Sequence, residues 1–492
     1  MPLPRLTIDP TGRRLQTADG KPFFWLADTG WTAATALHWL DVRYYFQKRL
    51  DQGFSVIQLV ALDPEGDLEM RSPCGEAALH NGDPLRPNER YFEYLDKIIR
   101  LADEMGLYVM LLPAWGQLVV GDNWGGGTFP KTITEENAYG YARWLGNRYK
   151  NDTNLVWCLG GDRHPIHKGV DYKGVWRQMA EGLAKGLTGQ DLAWSADEDA
   201  WKKLLITYHT CYDMQNEPAY STTTQWGPED KWISFIMLQS GHKDGVQNYR
   251  QVEKDYALAP PRPVFDGEPC YEDMPTQWPF DENTRLHGGD SVRPRAYWSL
   301  FAGAFGFTYG NGCVWCMVKS PDTSPWRPLT WRQALDQPAA WQMRGLRDLV
   351  DSRPFHRALP RQALIAAGQD NSGPRTHIQA CIDSEGSYAM AYLPSGGSVS
   401  IDCAALGDTV DAWWWDPRTG MACGADGAPA AQPQRVDATN GPAGFTAPDT
   451  RDWVLVLDRP SAGYGAPGKP IVIPEDIVKA PTAQDMVFGA EV

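Results

Sequence analysis

Basic charge is scarce in this chain of 492 residues: 46 Lys and Arg stand against 61 Asp and Glu, for a net charge of −15. Without a basic patch to neutralise phosphate, nucleic acid and anionic lipid are disfavoured as partners, and a neutral substrate is favoured. Cysteine is scarce too. Nine scattered Cys, an odd number, argue against a complete disulfide framework and fit a reduced compartment or buried thiols. Long apolar runs are missing: no stretch of eighteen apolar residues occurs, and the opening Met-Pro-Leu-Pro-Arg-Leu has no basic segment leading into an apolar one. The expectation is a soluble protein, cytoplasmic as written, and periplasmic or secreted if a leader was removed. No Gly-rich phosphate cradle joins a strand to a helix, and Ser240 in Gln-Ser-Gly-His lacks the Gly-x-Ser-x-Gly elbow of a serine hydrolase.

Aromatic residues, by contrast, are abundant. Twenty-two Trp and twenty Tyr exceed what a core of this size needs, and flat rings with a polar edge are surfaces on which sugars stack. The first 22 residues read as a hairpin, with turns at Pro10-Thr11-Gly12 and Ala18-Asp19-Gly20. Eight strand-like apolar runs follow, at 23–28, 54–62, 107–115, 154–160, 204–209, 232–239, 263–268 and 306–315. Helical periodicity separates most of them, most clearly over 89–106, where Tyr91, Tyr94, Leu95, Ile98 and Ala102 share one face. Other helices are expected at 38–52, 134–149, 172–186, 247–257, 291–304 and 338–349. Such alternation means parallel βαβ units, and eight of them predict an α/β chain with a (β/α)8 TIM barrel over 23–358. The segment 213–230 lacks helical periodicity and reads as a long loop on the active face. Short alternating runs over 359–458 predict a C-terminal β-sandwich domain, and 459–492 reads as an extended tail.

Two of the runs end on Gly and an acid: Asn-Leu-Val-Trp-Cys-Leu-Gly-Gly-Asp reaches Asp162, and Pro-Val-Phe-Asp-Gly-Glu reaches Glu268. They fall on the fourth and seventh strands, which face each other across a barrel mouth. A carboxyl pair at strand ends is what glycoside hydrolysis needs, one protonated for the leaving oxygen and one ionised at the anomeric face. Each raises the other's pKa, so one can hold a proton near neutrality. For either acid alone, a helix cap or a salt bridge is the ordinary alternative. Glu272 rivals Glu268, but Pro269 intervenes and about 13 Å of extended chain would separate the two.

The segments 23–31 (Phe-Phe-Trp-Leu-Ala-Asp-Thr-Gly-Trp), 87–92 (Pro-Asn-Glu-Arg-Tyr-Phe), 112–116 (Leu-Pro-Ala-Trp-Gly), 159–163 (Leu-Gly-Gly-Asp-Arg), 239–242 (Gln-Ser-Gly-His), 266–272 (Asp-Gly-Glu-Pro-Cys-Tyr-Glu) and 303–310 (Gly-Ala-Phe-Gly-Phe-Thr-Tyr-Gly) resemble, in this order, glycoside hydrolase family 140. This apiosidase-like family joins a barrel to a small domain labelled collagen-binding. The resemblance covers about residues 5 to 458. It implies a retaining hydrolase that removes apiose from plant-derived glycans, with Asp162 as acid/base and Glu268 as nucleophile. The chain departs from the pattern at Phe307, where the family often has His, and in the loop of Trp124 followed by three Gly; both are expected to reshape the sugar pocket.

Other strand-end residues are candidates for binding hydroxyls or stacking on a sugar: Asp28, Trp31, Gln58, Trp115, Trp124, Tyr208, His209, Gln239, His242, Glu272, Tyr309 and Trp315. Asp28 and His209 lead this set, and each has the ordinary alternative of a satisfied, half-buried polar residue. No cofactor and no metal are expected: the Asp162, His164, His167 cluster fits ordinary hydrogen bonds better than an ion, and Cys313-x-x-Cys316 lacks a second pair. The same machinery could serve arabinofuranosides, galactofuranosides or xylosides, since one hydroxyl contact decides the sugar. A different class, a non-catalytic glycan-binding protein, would use Trp413-Trp414-Trp415 as a platform, although alternation in a strand turns at least one ring inward. A structural role for the C-terminal domain is the stronger expectation.

Overall fold

The computed structural model describes residues 2–122, 127–211, 220–281, 283–321 and 327–468. A hairpin, β1 (Leu6–Ile8) and β2 (Leu15–Thr17), precedes the main sheet. The sheet holds nine strands. Parallel β3 (Trp25–Thr29), β4 (Val56–Val60), β5 (Tyr108–Leu112), β6 (Leu155–Gly160) and β9 (Ile206–His209) continue on the other side into β13 (Gly306–Tyr309), β12 (Val264–Asp266) and β11 (Ile236–Gln239). Antiparallel β10 (Tyr220–Ser221) pairs with β11, and the small hairpin of β7 (Ile166–His167) and β8 (Val170–Asp171) stands apart. The sheet is therefore curled, with β9 and the antiparallel β10 as its edges. The two rims of the parallel set meet without a ladder. Ser234 N–H donates to Ile206 O at 2.8 Å, and Thr207 Oγ1 donates to Phe235 O at 2.7 Å.

Period-two alternation sorts the side chains. Trp25, Ala27, Val56, Met110, Cys158, Met237 and Phe265 fill the inside of the curl, while Leu26, Ile57, Leu111, Leu159 and Leu238 face the helices. The outer helices lie close to where periodicity puts them. Helix Glu89–Met105 shows why: the Asn88 side chain accepts from Arg90 N–H at its start, Gly106 takes a left-handed φ of 92° at its end, and Tyr91, Phe92, Leu95, Ile98, Ile99 and Ala102 are buried. Two details differ from expectation. The eighth strand stops at Tyr309, and the expected loop at 213–230 contains β10 and a short helix, Thr222–Gln225; residues 212–219 lie outside the described set.

Beyond residue 357 the chain forms antiparallel sheets. A seven-stranded sheet includes Gln379–Asp383, Tyr388–Leu393, Trp453–Asp458 and Thr409–Asp416; a three-stranded one is made by Ile365–Ala367, Ser398–Ile401 and Ala443–Thr446. Both contribute to one apolar cluster, in which Ile382, Leu393 and Leu455 meet Val399, Ile401 and Phe445. The other face of the larger sheet packs on helix Gly289–Phe301, whose residues from Ser291 onward are all buried because the strands lie on one side and this sheet on the other. Tyr297 stacks on Tyr392 at 4.9 Å, and buried ion pairs join Arg293 to Asp452 and Arg353 to Asp458. The three consecutive tryptophans make no exposed platform: Trp413 and Trp415 point into this junction, Trp414 points into the C-terminal core, and none is more than 4% exposed. No described helix is long and apolar enough to cross a membrane.

Candidate active site

Asp162 leaves β6 through three successive left-handed residues, Gly160 (φ 90°), Gly161 (φ 120°) and Asp162 itself (φ 54°). The two glycines are required by contact as well as by angle. A Cβ on Gly160 would strike His209 O, and one on Gly161 would lie 2.7 Å from the Trp115 ring. Glu268 reaches the same space by another device. Leu238 O accepts from both Gly267 N–H (2.8 Å) and Glu268 N–H (3.3 Å), so two residues of one chain oppose one of the other. That bulge shifts the alternation by one residue, so Glu268 points to the mouth although Asp266 points to the helices. A Cβ on Gly267 would overlap the Met237 side chain.

His209 ties the two acids together. Its Nε2 lies 2.6 Å from Glu268 Oε2, and its Nδ1 lies 2.7 Å from Thr210 O and 3.1 Å from the Asp162 amide nitrogen. The Asp162 N–H donates to Nδ1, and Nε2 faces the Glu268 carboxylate. Burial lowers the pKa of His209, but the hydrogen bond and charge of Glu268 outweigh it and raise it. His242 Nε2 lies 3.2 Å from the other Glu268 oxygen. Burial would push Glu268 up, yet the two histidines take it down to about 2. Asp162 moves the opposite way: burial and then the negative charge of Glu268 raise it, against Arg163 and a 3.1 Å hydrogen bond from Gln239 Nε2. Two neighbouring carboxyls are thus pushed toward opposite protonation states, the signature of an acid and an anion with divided labour.

Aromatic rings line this pair. Trp31 lies 5.3 Å from Trp115 and 5.4 Å from His209, and Trp115 lies 5.7 Å from the same imidazole. Among the described residues, the buried indole N–H groups of Trp115 and Trp315 have no acceptor and Gln239 Oε1 has no donor. Of the expected residues, the structure therefore brings together Asp162, Glu268, His209, Gln239, His242, Trp31 and Trp115. Trp315 lies at the edge of the inner cluster beside Trp31, its carbonyl accepting from Thr32 N–H at 3.2 Å, and Trp124 lies outside the described residues.

Five expected binding residues are placed elsewhere, and strand parity explains three of them. Asp28 and Tyr309 sit on outward positions; Asp28 binds Tyr45 Oη and Arg49 Nε (2.7 Å) with no exposure at all. Tyr309 Oη donates to Glu272 Oε2 at 2.7 Å, and Glu272 Oε1 accepts from Ala339 N–H at 3.0 Å, so Glu272 belongs to a helix contact behind the strands. Burial, then the charge of Asp273, pushes Glu272 up to about 8. Tyr208 turns outward onto Trp176, Trp226 and Trp232. Gln58 faces inward but is fully buried, bracing Gly267 O and Thr308 Oγ1 at 3.2 and 3.0 Å. Phe307 also faces the helix layer, so its substitution does not touch the pocket.

Sequence reasoning overlooked Arg163, whose guanidinium lies 3.8 Å from Asp162 Oδ2 and 3.4 Å from Asp122 Oδ1. Its place beside Asp162 in the quoted motif was the available signal. Tyr271, edge-on to His242 at 4.6 Å, was missed as well. His167 pairs with Asp122 at 2.8 Å, and the His164 ring packs on Tyr220. All nine cysteines are unbridged.

Comparison with known proteins agrees with this chemistry. The family described as "Apiosidase-like, catalytic domain" matches residues 9–357, and the family described as "Putative collagen-binding domain of a collagenase" matches residues 359–458. A solved structure named a glycoside hydrolase is 27% identical, with a TM-score of 0.77 over 93% of this chain and 97% of its own. A glycoside hydrolase of family 5 from Bacteroides vulgatus is 26% identical, with the same TM-score over 93% of each chain. No curated protein matches the sequence.

Proposed function

We propose, from the premise that this chain belongs to the apiosidase-like family and is a glycosidase, that it is a retaining exo-enzyme releasing a terminal furanose-like sugar, with apiose favoured, from plant-derived glycans or glycosides. Glu268 is the nucleophile and Asp162 the acid/base. One observation carries this reading: the histidines hold Glu268 ionised at a pKa of about 2, while burial and that same negative charge raise Asp162.

The charges then alternate through the reaction. Glu268 attacks the anomeric carbon as Asp162 gives its proton to the leaving oxygen, which forms a glycosyl ester on Glu268. Esterification removes the negative charge that raised Asp162, so its pKa falls and it becomes the base that takes a proton from the attacking water. Release of the sugar restores the carboxylate, and His209 and His242 hold it in line for the next attack.

The same reading takes residues 23–358 as a closed (β/α)8 barrel, supported by the Ser234–Ile206 bond between its rims. Residues 359–458 are then a sandwich domain, with a hairpin over 1–22 before the barrel; of the segment expected as a tail, 459–492, residues 469–492 lie outside the described residues. The test is a panel of 4-nitrophenyl glycosides that includes the apioside, arabinofuranoside, galactofuranoside and xyloside, with the first-formed product anomer read by NMR. Asp162→Asn and Glu268→Gln should each lose turnover while keeping the fold. Wild-type rates in either would end the assignment, and an inverted product would end the double-displacement mechanism.

A further inference from the structure

The loop 240–245 carries His242 to Glu268, and its clamps come from several directions. Gly241 N–H donates to Glu268 O at 3.0 Å, Arg295 donates to the carbonyls of Gly241 (2.6 Å) and Lys243, and His287 Nε2 meets His242 O at 2.6 Å. The last clamp comes from the C-terminal sheets. Arg375 Nη2 donates to Asp244 Oδ1 at 2.7 Å, and its Nη1 donates to Asp290 Oδ2 at 2.9 Å, at the start of the helix that joins the two parts of the protein. Ser395 Oγ fixes the Arg375 backbone at 2.8 Å, and a Cβ on Gly245 would stand 2.8 Å from Pro374, so the two chains touch directly here. Asp244 is two residues from the histidine that donates to Glu268.

We propose that Arg375 is a positioning residue for catalysis: through Asp244 it holds loop 240–245 so that His242 meets Glu268, which makes the C-terminal part of the chain a working portion of the active site. The proposal deepens the reading of Glu268 as nucleophile and rests on it. A merely structural surface pair is the competing account, since the Arg375 and Asp244 side chains are 30% and 40% exposed. The groups facing Glu268 and His242 are His209, Asp162, Tyr271 and His287, with Arg295, Asp244 and the Arg285 that pairs with Asp244 behind the loop. Loosening His242 therefore leaves His209 as the other hydrogen-bonding histidine on the carboxylate, and the Glu268 pKa rises part of the way.

The experiment compares the full-length protein with Arg375→Met, Arg375→Lys and Asp244→Asn, using the 4-nitrophenyl glycoside that the wild type cleaves fastest and 15N-histidine NMR of the free enzyme. Arg375→Met should lower kcat about 3- to 10-fold, leave KM within about twofold, raise the acid limb of kcat/KM by about half a pH unit, and shift the His242 Nε2 resonance. Arg375→Lys should recover most of this. Asp244→Asn, which also loses the 3.0 Å contact of Arg285 Nη2 to Asp244 Oδ2, should be at least as impaired as Arg375→Met, and the double variant should be no worse than Asp244→Asn. A His242 resonance and kcat equal to wild type in Arg375→Met would overturn the proposal, as would a loss of rate that follows a lowered Tm with the acid limb unmoved. If Glu268→Gln stays active, the nucleophile reading fails, while the His242 resonance still reports on the tether.

Discussion

Replacing His209 by Phe would isolate the main force that keeps Glu268 charged. The ring would still fill the space between Trp31 and Trp115, 5.4 and 5.7 Å away, while the 2.6 Å hydrogen bond to Glu268 Oε2 would be gone. A hydrogen bond to a charged group contributes about 1.5–3 kcal/mol, which corresponds to about 1–2 pH units in the pKa of its acceptor. Glu268 should then rise from about 2 to about 3–4, with the 3.2 Å contact to His242 remaining. In the proposed mechanism the ionised form attacks, so activity is expected to be lost as pH falls through this value. Profiles of kcat/KM on an aryl glycoside should stay flat to about pH 3 in the wild type and bend down below about pH 4 in the variant. Stability should follow the same carboxylate. The drop from an ordinary glutamate value of 4.5 to about 2 corresponds to about 3 kcal/mol, present above pH 4.5 and lost as pH falls toward 2. Acid titration of the folding free energy should therefore be shallower in the variant. An acid limb that stays where the wild type has it would refute the account of how Glu268 is held ionised.

Asp28→Asn should cost about 3–5 kcal/mol in chemical denaturation, because it leaves the fully buried Arg49 guanidinium without its carboxylate, and KM should be unchanged. Gly267→Ala should keep the fold but lower kcat more than about 10-fold, since the added methyl overlaps Met237 at the bulge that aims Glu268; wild-type kcat would show that the bulge is not needed. Glu272→Gln tests the neutral carboxyl behind the site. With a folded pKa of about 8 against an ordinary 4.5, the folded state keeps a proton that the unfolded state releases, so wild-type stability should fall as pH rises from 4.5 to 8. The variant's Tm should fall less over the same range, and parallel Tm curves would contradict a protonated Glu272.

The alternation of strand and helix was legible in the sequence because its causes are local. Apolar runs of five or six residues, the Asn88 cap and Gly106 stop, and the repeat of Tyr91, Leu95, Ile98 and Ala102 all act within a few turns of chain. Asp162 and Glu268 were legible for the same reason, since the glycines beside them mark places where the strand must end or bulge. The direction of each side chain at a strand end was not. Asp28, Tyr208 and Tyr309 have the composition of pocket residues, yet period-two alternation turns them to the helices, and a single bulge at Gly267 and Glu268 reverses the phase on one strand only. Residue type carries no record of that phase. Alternation turned at least one ring of Trp413–Trp415 inward, and only the packing of the sheets buries all three.

The sequence by itself determined which chemical groups are present and roughly where on the chain the backbone turns, because capping, alternation and glycine conformations depend on neighbours. The tertiary structure alone decided their ionisation. Glu268 is a held anion because His209 and His242 arrive from other strands, and Asp162 tends toward the acid because it is buried beside that anion. A pKa is set by burial and by charges a few ångströms away in space, and those distances exist only after the chain has folded.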